Sequence, residues 1–267
     1  MPYLFIFLPS RCLLVLPLLL ALPFAASADT REVDVELILM VDVSRSMSPM
    51  ELEIQRRGYA EALASDEVAS AIRRGLIGTI AVSYVDWAGW GSQRIIVDWT
   101  EVSSQEEAQA IADQLTAEFS PALRRTSISG ALAFAAESLD TNAYTGLRQV
   151  IDISGDGPNN QGRPVLLARE AVLARGIVVN GLPLMTDDGA GRAWHLEDLD
   201  EYYRACVIGG PGAFVVPVEE WTEFPLAVRR KLVLEIAGAI PVEDPVPDYD
   251  CLIGEKIWER YFRDGFP

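Results

Sequence analysis

From residue 33 onward the chain alternates between short apolar runs and longer segments in which apolar residues recur every three or four positions. Apolar, β-branched runs bounded by turn residues are typical of strands. They predict six strands, over residues 33–43, 76–87, 94–99, 147–154, 177–185 and 213–218. The segments with helical spacing predict six helices, over residues 49–65, 103–119, 127–139, 164–176, 196–206 and 225–239. Pro49 suits a first helical turn, and Ser103 precedes Glu106 with the spacing of a capping box.

Strands that alternate with helices in this way predict an α/β fold with a doubly wound, mainly parallel six-stranded sheet. The segment GWGSQ lies between the second and third strands, which predicts a hairpin and hence one antiparallel edge strand. In such folds ligands bind beyond the carboxyl ends of the parallel strands. The loops DVSRS (42–46) and SGDGPNNQGR (154–163) both follow predicted strands and are therefore candidate ligand loops.

The first 28 residues are predicted to be a signal peptide. An apolar run over residues 13–28 ends in ASA, the small-x-small pattern that precedes a cleavage site. We therefore expect the mature protein to be periplasmic or secreted. The alternative is an uncleaved anchor, although the apolar core is short for a membrane span. No later segment is long and apolar enough to span a bilayer, so we expect no stable span in the mature chain.

Removal of this segment leaves two cysteines, Cys206 and Cys251, whose even number in an exported protein predicts one disulfide. Two buried thiols are the alternative. Residues 29–240 are predicted to form one domain, and residues 241–267 a C-terminal tail packed on it. The predicted disulfide would join this tail to the domain. The helix over 196–206 is expected to run away from the ligand loops, which places the bridge at the opposite end of the sheet.

The net charge of the chain argues against one class of binding partner. The 267 residues include 22 basic and 39 acidic side chains, for a net charge of −17. A nucleic-acid-binding surface is basic, so this balance argues against a nucleic-acid partner. Half of the residues are hydrophobic, which is enough for a sizeable core. The composition fits a soluble protein that attracts cations.

Five side chains with hard oxygen atoms fall in loops at or near the ends of predicted strands. They are Asp42, Ser44, Ser46, Thr126 and Asp156. Such oxygens suit Mg²⁺, Mn²⁺ or Ca²⁺ rather than zinc or copper. His195 is the only histidine, and the cysteines are expected to be structural, so softer ligands are scarce. The residue types therefore indicate a site for a hard divalent cation.

These residues resemble the metal-ion-dependent adhesion site of von Willebrand factor A-like domains, and the resemblance covers about residues 33–240. The Asp-x-Ser-x-Ser piece is DVSRS, and the threonine six residues before a helical leucine is Thr126, with Leu132. The final aspartate, after a strand and before a glycine, is Asp156. Where the family more usually has Thr-Asp-Gly, this chain has SGDG at 154–157. The chain is most similar to a bacterial, exported branch of unknown function.

The resemblance implies binding rather than catalysis. Three of the five ligands are neutral hydroxyls, so the metal keeps positive character and an open position that a carboxylate can fill. We therefore expect an exported, metal-dependent protein-binding module that is not an enzyme. It would use Mg²⁺, or else Mn²⁺ or Ca²⁺, and its protein partner would offer an acidic side chain.

Two other functions are compatible with the same residues. A phosphatase-like hydrolase would use Asp42 as a strand-end nucleophile. That chemistry usually needs a second acid two residues later, where this chain has Ser44, and a downstream lysine, which is absent between the first strand and residue 230. The other alternative is a von Willebrand-like scaffold with no active metal site. His195 is interpreted as a surface histidine at a helix start rather than a catalytic base.

Four neighbouring residues require interpretation. Ser127 rivals Thr126 as the hydroxyl ligand, but only Thr126 keeps the spacing to the helical leucine. Asp152 lies inside a strand and is interpreted as structural. Trp87 and Trp90, at the tip of the hairpin, would either stand near the metal as binding anchors or cover the edge of the sheet.

Overall fold

A five-stranded sheet organises the computed structural model, which describes residues 1, 3, 30–118, 121–186, 196–238 and 248–263. The strands are β1 Arg31–Asp42, β2 Ile80–Trp87, β3 Gln93–Val102, β4 Tyr144–Gly155 and β5 Val178–Pro183. Their order is β3-β2-β1-β4-β5, with β3 antiparallel to β2 and every other pair parallel. The predicted doubly wound α/β fold with one antiparallel edge strand is confirmed.

Helices cover both faces of this sheet. Within the described residues they are α1 Pro49–Leu63, α2 Asp66–Arg73, α3 Gln105–Ala117, α4 Ile128–Thr141, α5 Val165–Leu173, α6 Leu199–Tyr202, α7 Phe224–Ala237 and α8 Ile253–Arg263. A π-helical turn, Tyr203–Val207, continues α6. One core contains residues of α1, α2, α3 and α7, and the other contains residues of α4, α5 and the π-helical turn.

The side chains of β1 alternate between these two cores. Leu37 and Leu39 are fully buried in one core, and Ile38 and Met40 are fully buried in the other. A strand whose two faces are both covered reads as a continuous apolar run, as β1 does in the sequence. Because both faces of β1 are covered, a ligand can reach only the ends of this strand and the loops that follow or precede it.

β1 is the strand at which the direction of winding changes. The chain passes from β1 to β2 on one side and, after the β2–β3 hairpin, crosses to β4 on the other side. β1 and β4 pair in parallel up to Val41 and Ser154, so their carboxyl ends lie side by side. A crevice at such a switch point is the usual ligand position in doubly wound sheets.

The sheet has five strands rather than the predicted six. The segment 213–218 runs beside β5 but forms only two isolated parallel bridges there, one with Gly181 of β5 and one with Leu184, the residue after β5. Pro183 lies between these two positions and has no N–H to donate to the ladder. The pairing is interrupted at this proline, and the segment is therefore not a continuous strand.

Asp34 explains why β2 begins at Ile80 and not at the predicted residue 76. Its carboxylate accepts backbone hydrogen bonds from Ile77, Gly78 and Thr79, at 3.0, 2.7 and 3.3 Å. These bonds hold a turn in which Gly78 has a φ of 81°, a conformation that favours glycine. Although burial acts to raise it, the hydrogen bonds leave the pKa of Asp34 below its ordinary value.

Two helix starts differ from the sequence predictions. The cap of α3 is Ser104, not Ser103, because the Ser104 hydroxyl accepts from the Glu107 N–H and the Glu107 carboxylate accepts from the Ser104 N–H. α2, for which no structure was predicted, is capped by Ser65. The region predicted only as a C-terminal tail contains a further helix, α8.

A buried ionic cluster holds α7 against the sheet. Lys231 of α7 lies 2.7 Å from Asp152 of β4 and also pairs with Glu235, one turn further along α7. Asn180 of β5 donates to Glu235 at 2.9 Å. Burial, followed by the charge of Asp152, raises the pKa of Glu235 to about 7. Asp152 thus pairs with Lys231 within the core, in agreement with its interpretation as a structural residue.

The predicted signal peptide, apart from residues 1 and 3, lies outside the described residues, and so does His195. Within the part of the chain that is described, no helix has the length and apolarity that a bilayer crossing requires.

Candidate metal centre

The loop after β1 brings three oxygen side chains to the carboxyl edge of the sheet. Asp42 is fully buried, and its Oδ1 accepts a hydrogen bond from the Ser44 N–H at 2.7 Å, which closes a tight turn. The hydroxyl oxygens of Ser44 and Ser46 lie 2.8 Å apart. Gln55 of α1 donates to the Asp42 carbonyl at 2.9 Å and fixes the loop from behind. Arg45, between the two serines, is exposed.

The loop before α4 is tied to the same end of β1. The Leu123 N–H donates to the Val43 carbonyl at 2.8 Å. Asn160 holds Thr126 through two hydrogen bonds, from the Thr126 N–H to Asn160 Oδ1 at 3.0 Å and from the Asn160 N–H to the Thr126 carbonyl at 2.9 Å. Arg125, directly before Thr126, has a φ of 77°, which residues other than glycine rarely adopt. This conformation costs on the order of 1–2 kcal/mol and persists because the surrounding contacts hold it.

Asp156 directly follows β4 and completes the group of oxygens. The Ser44 hydroxyl donates to Asp156 Oδ1 at 3.3 Å. Burial, and then the charge of Asp156, raises the pKa of Asp42 well above that of an ordinary carboxyl group. Burial also raises the pKa of Asp156. Two neighbouring carboxylates with raised pKa values indicate a place that lacks compensating positive charge.

One carboxylate oxygen of Asp42, Oδ2, is buried without a hydrogen bond of normal geometry within the described residues. Leaving such an atom unpaired costs about 1–3 kcal/mol, whereas a cation would satisfy it. No group of three or more His, Cys, Asp or Glu side chains in the described ranges could hold a metal, so a cation at Asp42 would depend on hydroxyl oxygens as well. This donor set fits Mg²⁺, Mn²⁺ or Ca²⁺.

The structure brings the five predicted residues together. Ser44, Ser46, Thr126 and Asp156 line one pocket, and Asp42 lies beneath it, bonded to the Ser44 N–H. This group of Asp42, Ser44, Ser46, Thr126 and Asp156 is referred to below as the oxygen cluster.

The rival residues do not line this pocket. The Ser127 hydroxyl donates to the Gln161 carbonyl at 2.9 Å and caps α4. Trp87 pairs with Asp42 in the sheet but is fully buried, so it is not available as an anchor for a partner. Trp90 is 54% exposed and packs against Gly162, where a Cβ would lie 2.9 Å from its ring. Trp87 does stand near Asp42, because a Cβ at Gly155 would lie 3.4 Å from the Trp87 ring and 3.0 Å from Asp42 Oδ2. Neither tryptophan lines the pocket, so their expected role as binding anchors stays a prediction.

Tyr203 is a neighbour of the oxygen cluster that sequence reasoning missed. A Cβ at Gly155 would lie 2.9 Å from the Tyr203 hydroxyl and 3.0 Å from Asp42 Oδ2, so both oxygens face the small space that this glycine leaves. The Tyr203 hydroxyl is buried and makes no hydrogen bond of normal geometry within the described residues. Burial, and then the charge of Asp42, raises the pKa of Tyr203, which keeps the hydroxyl neutral. No pattern in the sequence marks the π-helical turn that places it there.

The C-terminal helix α8 lies over the oxygen cluster. Asn159 donates to Glu255 of α8 at 2.7 Å, and the backbone of Gly254 packs so closely that a Cβ there would overlap the Asn159 carbonyl oxygen. The guanidinium of Arg125 lies 3.2 Å from the centre of the Trp258 ring. The region predicted as a tail therefore contributes one wall of the pocket.

A disulfide between Cys206 and Cys251, with Cα atoms 5.5 Å apart, fastens the start of this helix to the π-helical turn. The expectation that the bridge lies at the opposite end of the sheet is wrong. Cys251 comes three residues before Gly254, which touches Asn159, and the Asn159 N–H donates to Tyr202 at 3.1 Å. The predicted long helix over this segment is only a four-residue α6 with a five-residue π-helical turn, too short to run the length of the sheet.

A cavity of about 320 Å³ separates α8 from the oxygen cluster. Three arginines and four apolar side chains of α8 form much of the rest of its lining. These are Arg45, Arg124 and Arg125, and Ile257, Trp258, Tyr261 and Phe262.

A family model described as "Protein of unknown function (DUF1194)" matches residues 32–240. No curated protein matches the chain.

Solved structures with the von Willebrand factor A-like fold match at low sequence identity. Proximal thread matrix protein 1 from the mussel byssus is 14% identical, with a TM-score of 0.56 over 79% of this chain and 49% of that chain. Another structure of that protein, described as having a zinc-occupied MIDAS motif, is 16% identical, with a TM-score of 0.53 over 79% and 49% of the two chains. The pilus adhesin SpaC from Lactobacillus rhamnosus GG is 12% identical, with a TM-score of 0.56 over 78% of this chain and 31% of that chain.

A von Willebrand factor type A protein from Catenulispora acidiphila is 14% identical, with a TM-score of 0.50 over 77% of this chain and 43% of that chain. This chain therefore spans less than half of the length of each of these three proteins. At such identities the similarity establishes the fold, which is von Willebrand factor A-like.

Proposed function

The chain belongs to the DUF1194 family, and we propose that it is an exported, metal-dependent protein-binding module. In this proposal the oxygen cluster holds Mg²⁺, or alternatively Mn²⁺ or Ca²⁺, and the metal accepts a carboxylate from a partner protein. The observation that carries the proposal is the buried Oδ2 of Asp42, which makes no hydrogen bond of normal geometry within the described residues and lies beneath a pocket lined by hydroxyl oxygens.

A bound divalent cation supplies an electrostatic anchor for a carboxylate. The protein supplies the positions of the ligands: the contact between Ser44 and Ser46 and the hydrogen bond from Ser44 to Asp156 keep the oxygens together before any cation binds. Because the hydroxyl ligands are neutral, only Asp42 and Asp156 offset the charge of the cation. Arg45, beside the pocket, adds positive charge and favours an anionic partner.

Two further observations support the proposal. A pilus adhesin and a matrix protein with a zinc-occupied MIDAS motif share this fold, so the fold is compatible with adhesion and with a divalent cation. Export is supported by the apolar segment over residues 13–28 and by the Cys206–Cys251 disulfide, because such bonds persist in oxidising compartments.

Titration calorimetry of the purified, metal-free protein with Mg²⁺, Mn²⁺ and Ca²⁺ tests the cation site. Asp42→Ala and Thr126→Ala should each weaken binding by about tenfold or more, since each removes one ligand or its charge. Ser127→Ala is the matched control, because it removes the neighbouring hydroxyl outside the pocket. It should lower stability by about 1 kcal/mol through loss of the α4 cap and leave the metal affinity unchanged. Affinity that is equal in the wild type, Asp42→Ala and Thr126→Ala would rule out the site.

No observation favours the alternative of a phosphatase-like hydrolase. Ser44 stands where that chemistry usually places its second acid, and Lys231 is buried against Asp152 and Glu235. Assays with p-nitrophenyl phosphate and Mg²⁺ should therefore show no turnover above the buffer rate. Turnover that disappears in Asp42→Ala would replace the binding proposal with the hydrolase.

A further inference from the structure

α8 is held beside the pocket by contacts with separate parts of the chain. The Cys206–Cys251 disulfide fastens its start to the π-helical turn, Asn159 bonds to Glu255 in its first turn, and Arg125 stacks on Trp258 in its middle. A helix fixed in this way is a wall of the pocket, so its side chains help to determine what the pocket accepts.

The two sides of the pocket differ in chemistry. The oxygen cluster forms a polar floor, suited to a cation and to a carboxylate bound by it. The opposite wall is apolar and is formed by Ile257, Trp258, Tyr261 and Phe262 of α8. Phe262 is 64% exposed, so an apolar group bound beside it would bury surface that now faces water, which is favourable.

The arginines around the pocket add a charge requirement. Arg45, Arg124 and Arg125 line it, and none of them forms a salt bridge within the described residues. In a chain with a net charge of −17, three cationic side chains without acidic partners mark this pocket as complementary to an anion.

We propose that the pocket binds a segment of a partner protein in which an acidic residue stands next to a large apolar residue. The acidic side chain reaches the cation at the oxygen cluster, and the apolar side chain packs against Trp258 and Phe262. This inference rests on the proposed function, because the carboxylate requires the cation. A cavity of about 320 Å³ has room for such a pair of side chains but not for a folded surface, so the segment is an exposed loop or a chain end.

Three capped peptides test the proposal on the full-length mature chain by titration calorimetry, in MgCl₂ and in EDTA. They are acetyl-Gly-Asp-Phe-Gly-amide, acetyl-Gly-Asp-Gly-Gly-amide and acetyl-Gly-Asn-Phe-Gly-amide. In MgCl₂ the Asp-Phe peptide should bind about tenfold more tightly than the Asp-Gly peptide, which is the gain expected from burying an aromatic side chain. The Asn-Phe peptide should not bind, and EDTA should abolish binding of both Asp peptides.

Variants of α8 locate the source of this preference. Trp258→Ala and Phe262→Ala should each reduce the preference for Asp-Phe over Asp-Gly to about threefold or less, because each removes one aromatic partner of the peptide side chain. Leu252→Ala is the matched control, since this residue lies directly before α8, is 42% exposed and does not line the pocket. An intact disulfide and wild-type Mg²⁺ affinity show that each variant is folded; Phe262→Ala changes the most exposed of these aromatic side chains.

The outcomes separate this inference from the proposed function. If neither Mg²⁺ nor any Asp peptide binds, the proposed function fails and the inference fails with it. If both Asp peptides bind in MgCl₂ with equal affinity, the proposed function stands and the inference is overturned. If Trp258→Ala tightens binding of the Asp-Gly peptide, α8 obstructs the pocket, and the inference is overturned in that case too.

Discussion

Replacement of Asp42 by asparagine should stabilise the metal-free protein and remove its stabilisation by Mg²⁺. Asparagine keeps the oxygen that accepts from the Ser44 N–H, but it removes the charge of a fully buried carboxylate whose Oδ2 has no hydrogen bond of normal geometry within the described residues. It also removes the repulsion between Asp42 and Asp156. Relief of one unsatisfied buried polar atom is worth about 1–3 kcal/mol, and the unpartnered amide hydrogens of asparagine leave a gain near the lower end, about 1–2 kcal/mol.

These free energies predict that the order of the melting temperatures of wild type and Asp42→Asn reverses when Mg²⁺ is added. For a chain of this length 1 kcal/mol shifts Tm by about 2–4 °C, so Asp42→Asn should raise the Tm of the metal-free protein by about 2–8 °C. In the wild type, Mg²⁺ at about 1,000 times its Kd adds about 4 kcal/mol, or about 8–16 °C. The variant should therefore melt higher than the wild type in EDTA and lower than the wild type in Mg²⁺.

Thermal unfolding followed by circular dichroism, in EDTA and in MgCl₂ at pH 7.5, measures all four values. Asp34→Asn is the matched control at the other end of β1, because the Asp34 carboxylate accepts three backbone hydrogen bonds. This control should lower Tm by the same amount in both buffers. If Asp42→Asn lowers the Tm of the metal-free protein, or if it keeps the Mg²⁺-dependent rise, the interpretation of Asp42 as a cation ligand is wrong.

Three further predictions concern other parts of the fold. Replacing Cys206 and Cys251 together by serine should lower the free energy of unfolding by up to about 4 kcal/mol, given their separation of 45 residues, which denaturant titration measures. The same double variant should lose the preference for Asp-Phe peptides and keep its Mg²⁺ affinity in titration calorimetry. An unchanged peptide preference would contradict the role of the bridge. The pKa of Glu235 is raised to about 7 from 4.5, so its contribution to stability is fully present below about pH 4.5 and is lost as the pH rises through 7. The difference in unfolding free energy between wild type and Glu235→Gln should therefore change by on the order of 3 kcal/mol between pH 4.5 and pH 8 in urea titrations, and a difference that is constant with pH would refute this. Trp90→Ala should cost about 1 kcal/mol of stability and leave peptide affinity unchanged; weaker peptide binding at unchanged stability would restore Trp90 as a binding anchor.

The convergence of the oxygen cluster could be predicted because it depends on backbone geometry alone. Asp42, Ser44 and Ser46 follow a strand in a tight turn, and the parallel pairing of β1 with β4 brings Asp156 beside them. No detail of side-chain packing is needed to place these residues at one edge of the sheet. Thr126 required the family resemblance, because nothing in its own loop distinguishes it from Ser127.

Features set by competition between nearly equivalent hydrogen bonds could not be predicted. Ser103 and Ser104 are each followed by a glutamate three residues later, and the structure alone selects Ser104 as the cap of α3. The segment 213–218 has the composition of a strand, but its ladder is interrupted opposite Pro183. Residues 76–79 also resemble a strand, yet the carboxylate of Asp34 holds 77–79 in a turn.

The wall of the pocket shows a different limit of sequence reasoning. Ile253, Ile257 and Tyr261 recur every four residues, a pattern that indicates a helix with one apolar face, but this pattern does not say where the helix docks. The position of α8 depends on the disulfide between Cys251 and Cys206. Cys206 lies in a π-helical turn that could not be predicted from the sequence. The sheet therefore sets the position of the oxygen cluster, whereas a helix near the end of the chain supplies the apolar wall that would lie beside a carboxylate bound there. Because α8 lines the pocket but contributes none of these five oxygens, we expect substitutions of its pocket-lining side chains to change the preferred ligand without altering the oxygens that would hold the cation.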